Sequence, residues 1–74
     1  MLVTIRLFAS FQEGRFEQAP RELPARTRVG DVVDELEIPR DAIGVMLVNA
    51  RHAMFDRELV EGDVLSVFPL IGGG

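Results

Sequence analysis

Apolar residues open the chain at every second position: Val3, Ile5 and Leu7 fall on one face and Thr4, Arg6 and Phe8 on the other. That is the period of a half-buried strand, and it predicts a first strand over 2–9. Residues 10–14 are polar and turn-forming, and 16–23 reads as a second strand that Pro20 and Pro24 confine to a sheet edge, so the two form a hairpin. The period then changes. Val29, Val32, Val33 and Leu36 recur at i, i+3, i+4 and i+7 while Asp31, Asp34, Glu35 and Glu37 face elsewhere. This predicts an amphipathic helix over 28–37, capped by Thr27 and stopped by Pro39. An apolar run at 45–48 leads through Asn49-Ala50-Arg51, a tight hairpin turn, into 52–55; Ala50 stands where such turns prefer glycine. Glu61-Gly62-Asp63 turns the chain into a last strand over 64–68, which Pro69 ends. Strands grouped around one helix define an α+β class.

Length and composition narrow what this domain does. Seventy-four residues make one domain with one small core and no room for an internal cofactor. The absence of cysteine excludes disulfides, thiolate-held clusters and a thiol nucleophile. A net charge of −4 disfavours nucleic acid, whose phosphates recruit clustered Lys and Arg, and points to basic-faced protein partners. All 8 basic residues are arginines, which leaves no side-chain amine for a Schiff base or an isopeptide branch. The alternating start is unlike a signal peptide, and the apolar runs are too short for a membrane span; a cytoplasmic protein that does not engage membrane is expected. Asp31 and Asp34 are read as helix-start acids that favour the macrodipole, not as a metal or catalytic pair. No metal site is expected, since the single His52 has no second His and no Cys to complete one.

The sequence ends Gly72-Gly73-Gly74. At an average glycine usage of about 7%, three in succession at one fixed position arise by chance in roughly 3 of 10,000 chains. A run without Cβ atoms suits threading into a narrow partner site and delivering the Gly74 carboxylate there. Counted from Phe68, an extended tail reaches about 20 Å past the last strand. A terminal carboxylate is ionised and a poor electrophile until it is esterified or phosphorylated. The chain has neither a G-x-x-x-x-G-K-[ST] loop nor a G-x-G-x-x-G turn with which to hold ATP, so a separate activating enzyme is implied.

Together, Val29-Gly30-Asp31-Val32-Val33 opening a helix, Val48-Asn49 at a turn, Glu61-Gly62-Asp63-Val64 before the last strand and Phe68-Pro69-Leu70-Ile71-Gly72-Gly73-Gly74 at the end resemble the ubiquitin-like sulfur carriers (MoaD/ThiS) over nearly the whole chain. Within them the Phe68-Pro69 step looks like the small subunit of molybdopterin synthase more than the thiamine carrier. The resemblance implies a β-grasp fold over 1–71, with a mixed sheet of four or five strands on one main helix and the first and last strands side by side, followed by a flexible glycine tail at 72–74. It implies a carrier, not an enzyme. An adenylating partner joins Gly74 to AMP, a sulfur donor replaces AMP to leave a thiocarboxylate, and the sulfur passes to a substrate held by another protein such as the large synthase subunit. ATP and the sulfur donor belong to partners, and no cofactor is bound. Gly73 and Gly74 match the family's diglycine; Gly72 is additional. Thiamine and tRNA-thiolation pathways, conjugation to target lysines and a plain β-grasp interaction module remain alternatives.

Phe8 and Phe68 lie on the outward phase of strands that this fold makes neighbours, so two aromatics share the sheet face opposite the helix and mark a docking surface. His52, on the bordering strand, and Leu70 and Ile71, at the root of the tail, join the expected partner-binding set. Arg6 and Arg51 are rim charges that tune association.

Overall fold

The computed structural model describes residues 1–71. Five strands, β1 (Leu2–Leu7), β2 (Gln18–Glu22), β3 (Ile43–Val48), β4 (Arg51–His52) and β5 (Val64–Pro69), form one sheet in the order β2-β1-β5-β3-β4. A single α-helix, α1 (Val29–Glu35), covers one face. β1 and β5 are parallel and every other pairing is antiparallel, so the sheet is mixed. The alternation of β1 is realised as read: Val3, Ile5 and Leu7 are buried beneath α1 together with Val29, Val32 and Val33, Leu65 and Val67 from β5, and Met46 and Val48 from β3. Each such aliphatic side chain contributes about 1.5–3 kcal/mol by leaving water.

The helix is shorter than its periodicity predicts. Arg28, not Thr27, is the N-cap; the Thr27 hydroxyl donates instead to the Pro24 carbonyl at 2.7 Å. An arginine side chain accepts no hydrogen bond, so the helix start is held from the other side: the Asp31 carboxylate accepts the Arg28 N–H at 2.9 Å. At the other end Glu37 takes a left-handed conformation (φ 59°), its N–H bonding the Asp34 carbonyl while Ile38 N–H bonds that of Val33. This is a Schellman stop reached two residues before Pro39. Arg15, from the β1–β2 connection, adds bonds to the Leu36 and Glu37 carbonyls at 3.0 and 3.2 Å. That connection is no plain turn: residues 9–12 form a 3-10 turn that rolls Phe11 into the core.

The remaining boundaries move for local reasons. β1 stops at Leu7 because Ala9 adopts φ 52° and turns the chain away. β2 begins only at Gln18, and β4 is two residues long, although Ala53 N–H still bonds the Met46 carbonyl. Asn49 (φ 52°) and Ala50 (φ 69°) both occupy the left-handed region, as the two-residue hairpin turn between Val48 and Arg51 demands; the alanine is strained there. Asn49 earns its place through its side chain. Oδ1 accepts the Val64 N–H at 2.9 Å and Nδ2 donates to Asp63 at 2.8 Å, while the second Asp63 oxygen accepts the Val60 N–H. One buried carboxylate thus fastens the hairpin turn to the start of β5.

Candidate functional site

The strand phase opposite the core builds the open face of the sheet. The register pairs Arg6 with Ser66, Ser66 with Leu47 and Leu47 with His52, giving one row across four strands, and the next row sets Val45 against Phe68. Phe8 follows β1 directly, and its ring stacks on Phe68 with centroids 4.1 Å apart and planes 11° from parallel. The Arg6 guanidinium lies 5.3 Å from the Phe8 centroid, so one aromatic pair carries a cation at its side. Both rings are half-buried and contribute an apolar platform that water still reaches.

Beside this platform runs an open apolar groove of about 430 Å³, walled by Val45, Leu47, His52, Phe68, Pro69 and Ile71. The structure thus brings Phe68, His52 and Ile71 to one groove, with Phe8 stacked against its wall. Leu70 does not line it; the residue is 65% exposed and its N–H donates to the Ala42 carbonyl at 2.9 Å. Gly72, Gly73 and Gly74 lie outside the described residues. Sequence reasoning missed Val45, Leu47 and Gly44, the last also bordering the groove. The apolar run at 43–48 hid them: without polar alternation, only the phase against buried Met46 and Val48 marks Val45 and Leu47 as outward.

The last strand runs one residue further than the expected 64–68 before it ends. β5 includes Pro69, which pairs with Ile43, and the Leu70 bond to Ala42 extends the ladder one step further. Proline is tolerated at this position because its missing N–H is not required by the register. The expected reach of the tail concerns residues 72–74, which lie outside the described residues.

The acids on the helix do structural work. Asp31 holds the helix start, and Asp34 pairs with Arg40 at 2.9 Å. The hydrogen bond from the Arg40 guanidinium holds the Asp34 carboxyl below its usual value and raises Arg40 in turn. Arg40 also lies 4.6 Å from the Phe55 centroid. Among the described residues no three His, Cys, Asp or Glu side chains gather as metal ligands, and no helix is long and apolar enough to cross a membrane. What the open face offers is a shaped apolar surface next to the root of a glycine-ended segment.

A mixed five-stranded sheet in this order on one helix is the ubiquitin-like β-grasp fold. A model of the ThiS family matches residues 5–74, and the chain belongs to that family, whose members are small carrier subunits. Among solved structures it is similar to a putative molybdopterin converting factor subunit 1 from Pyrococcus furiosus, at 27% identity over 96% of this chain and 99% of that one, with a TM-score of 0.77. Haloferax volcanii small archaeal modifier protein 1 shares the fold at 23% identity over 95% and 98% of the two chains, TM-score 0.76. So does a complex of subunits 1 and 2 of the molybdopterin-converting factor from Helicobacter pylori, at 20% identity over 100% of both chains, TM-score 0.67. No curated protein sequence matches the chain.

Proposed function

We propose that this protein is a sulfur carrier whose reactive group is the Gly74 carboxylate, working in the assembly of a molybdopterin-type cofactor. The observation that supports the proposal is a family match that runs through residue 74 and so takes in Gly73 and Gly74, which resemble the terminal diglycine of such carriers. The likeness to the Pyrococcus furiosus subunit favours the molybdopterin pathway over thiamine synthesis or tRNA thiolation. In the chemistry, the Gly74 carboxylate attacks the α-phosphorus of ATP on an adenylating enzyme and expels pyrophosphate. A hydrosulfide-equivalent donor then attacks the acyl carbon, AMP leaves, and a thiocarboxylate remains. Transfer of that sulfur to an acceptor, with water supplying oxygen, regenerates the carboxylate.

The Phe8–Phe68 platform and the groove holding His52 and Ile71 serve as the docking surface, with Leu70 at the tail's root and Gly72 and Gly73 threading into the partner. The partners are an adenylating enzyme and a large synthase subunit, as subunit 2 accompanies subunit 1 in the Helicobacter pylori complex. Catalytic side chains belong to these partners, and the cytoplasm, where ATP is available, is the proposed location. The test is intact mass after incubation with ATP, an adenylating enzyme and a sulfur donor: a gain of about 16 Da marks oxygen replaced by sulfur. An unchanged mass with demonstrably active enzymes removes the carrier assignment. Attachment to lysines of other proteins under the same conditions would favour the modifier role of the archaeal relative instead.

A further inference from the structure

The strongest unexplained feature is Gly44. It is not one of the glycines with positive φ, so backbone conformation does not require it. What requires it is space: a Cβ at this position would lie 2.9 Å from the Pro69 carbonyl oxygen, 3.2 Å from Leu70 Cα and 3.2 Å from the Pro69 carbonyl carbon. All three are backbone atoms, which cannot swing aside as a flexible side chain would. Gly44 is also the extra residue of a bulge, because Ile43 pairs with Pro69 while Val45 pairs with Phe68. Bulges bend a strand and increase its twist. Immediately beyond, the Leu70 N–H is fastened to the Ala42 carbonyl. The last step of the ladder among the described residues therefore depends on one missing methyl group, next to the groove that Phe68 and Ile71 line.

We propose that Gly44 is a positioning residue for the C-terminal glycines: by admitting the Pro69–Leu70 backbone into the β3 bulge, it sets the direction in which the chain leaves the sheet relative to the Phe8–Phe68 platform. A partner that grips the platform and must also receive the carboxylate needs that angle fixed, since a misplacement of about 1 Å can cost on the order of a hundredfold in rate. The inference rests on the carrier assignment for its consequence but not for its geometry.

The experiment compares G44A with G14A in ATP–pyrophosphate exchange on an adenylating enzyme. Gly14 has φ +71° and nothing within 4 Å of a built Cβ, so G14A strains the backbone locally without touching the Pro69–Leu70 segment. G44A is expected to lower kcat at least about tenfold with KM within about twofold, because the platform stays intact, while G14A keeps wild-type kcat. In the same variant the Leu70 amide should shift in its NMR spectrum and exchange faster, with resonances of the distant β1–β2 hairpin, such as Ala19 and Pro20, unmoved. Wild-type kcat in G44A, or equal loss in both variants, overturns the proposal. A wild-type protein that supports no exchange overturns the carrier assignment instead, and the Leu70 amide of G44A then decides the positioning claim. Should G44A fail to fold, the wild-type protein still must show a strong Gly44 Hα to Leu70 Hα Overhauser effect, and its absence refutes the close approach.

Discussion

The two faces of the sheet are written by the same alternation and have opposite physics. The covered face is wholly aliphatic where it meets α1: Val3, Leu65 and Val67 are 0% exposed, as are Val29 and Val33 of the helix above them. The open face mixes a stacked aromatic pair, an arginine, a buried serine and a histidine-edged groove. A residue on the first face has no alternative to packing, whereas one on the second is held only partly and keeps area in reserve for another surface. On the proposed function, stability and recognition are thus separated by one residue of register, so that Val67 and Phe68 serve different ends while adjacent in sequence.

The sharpest way to break that division is Leu65→Ala. It removes a fully buried side chain from the centre of a small core, and is expected to cost about 3 kcal/mol, lowering the melting temperature by roughly 12–24 °C. Urea unfolding measures it. If the loss were no greater than for Phe68→Ala, the two faces would not differ in kind.

Phe8→Ala and Phe68→Ala probe the other side. Each is expected to cost about 1 kcal/mol in stability, with a coupling of about 0.5–1.5 kcal/mol between the rings in a double-mutant cycle. Affinity for an adenylating enzyme or a synthase large subunit should fall at least about tenfold, far out of proportion to the stability change. Calorimetric titration of each variant decides this, and an unchanged affinity in the double variant would remove the platform from the docking surface.

The covered face was legible because period and chemistry agree there: Val3, Ile5 and Leu7, and the helix positions 29, 32, 33 and 36, repeat with the geometry of their elements. The pairing of Phe8 with Phe68 was legible for the same reason, once the parallel neighbourhood of first and last strands was supplied by resemblance. What escaped depends on backbone geometry that residue type does not encode. Phe11 enters the core through a 3-10 turn; Glu37 ends the helix from a left-handed conformation that glycine ordinarily takes; Gly44 is needed for a contact with Pro69 and Leu70, far away in sequence. The Arg28 cap was missed because the bond that holds the helix start comes from Asp31, inside the helix.

A smaller effect of opposite sign is expected at the hairpin that carries His52 onto the open face. Ala50 at φ 69° bears the left-handed penalty of about 1–2 kcal/mol, which glycine escapes, while glycine costs about 0.4–1 kcal/mol through the freedom it gives the unfolded chain. Ala50→Gly should therefore stabilise by about 0.5 kcal/mol and leave both faces as they are. Denaturant midpoints read the gain; a destabilised variant would mean that the Asn49–Asp63 bonds, not the turn, set the cost.

The smallest effect lies on neither face and calibrates both. The Asp34 carboxyl is depressed first by its hydrogen bond from Arg40, and the same bond raises Arg40 above its usual value. A carboxylate with a lower folded than unfolded value stabilises the fold above the unfolded value of about 3.8, and loses that contribution as pH falls through the folded one. Both side chains are about half exposed, so solvent and salt screen the pair and the contribution is slight. Asp34→Asn should then melt slightly below wild type at pH 7 in low salt, with the gap closing below about pH 4 and shrinking at high salt. Carrier activity should not change, because Arg40 keeps its seat over Phe55. A gap that persisted in acid would show that Asp34 acts through packing at the helix end, and the helix would then share in what the covered face alone is credited with.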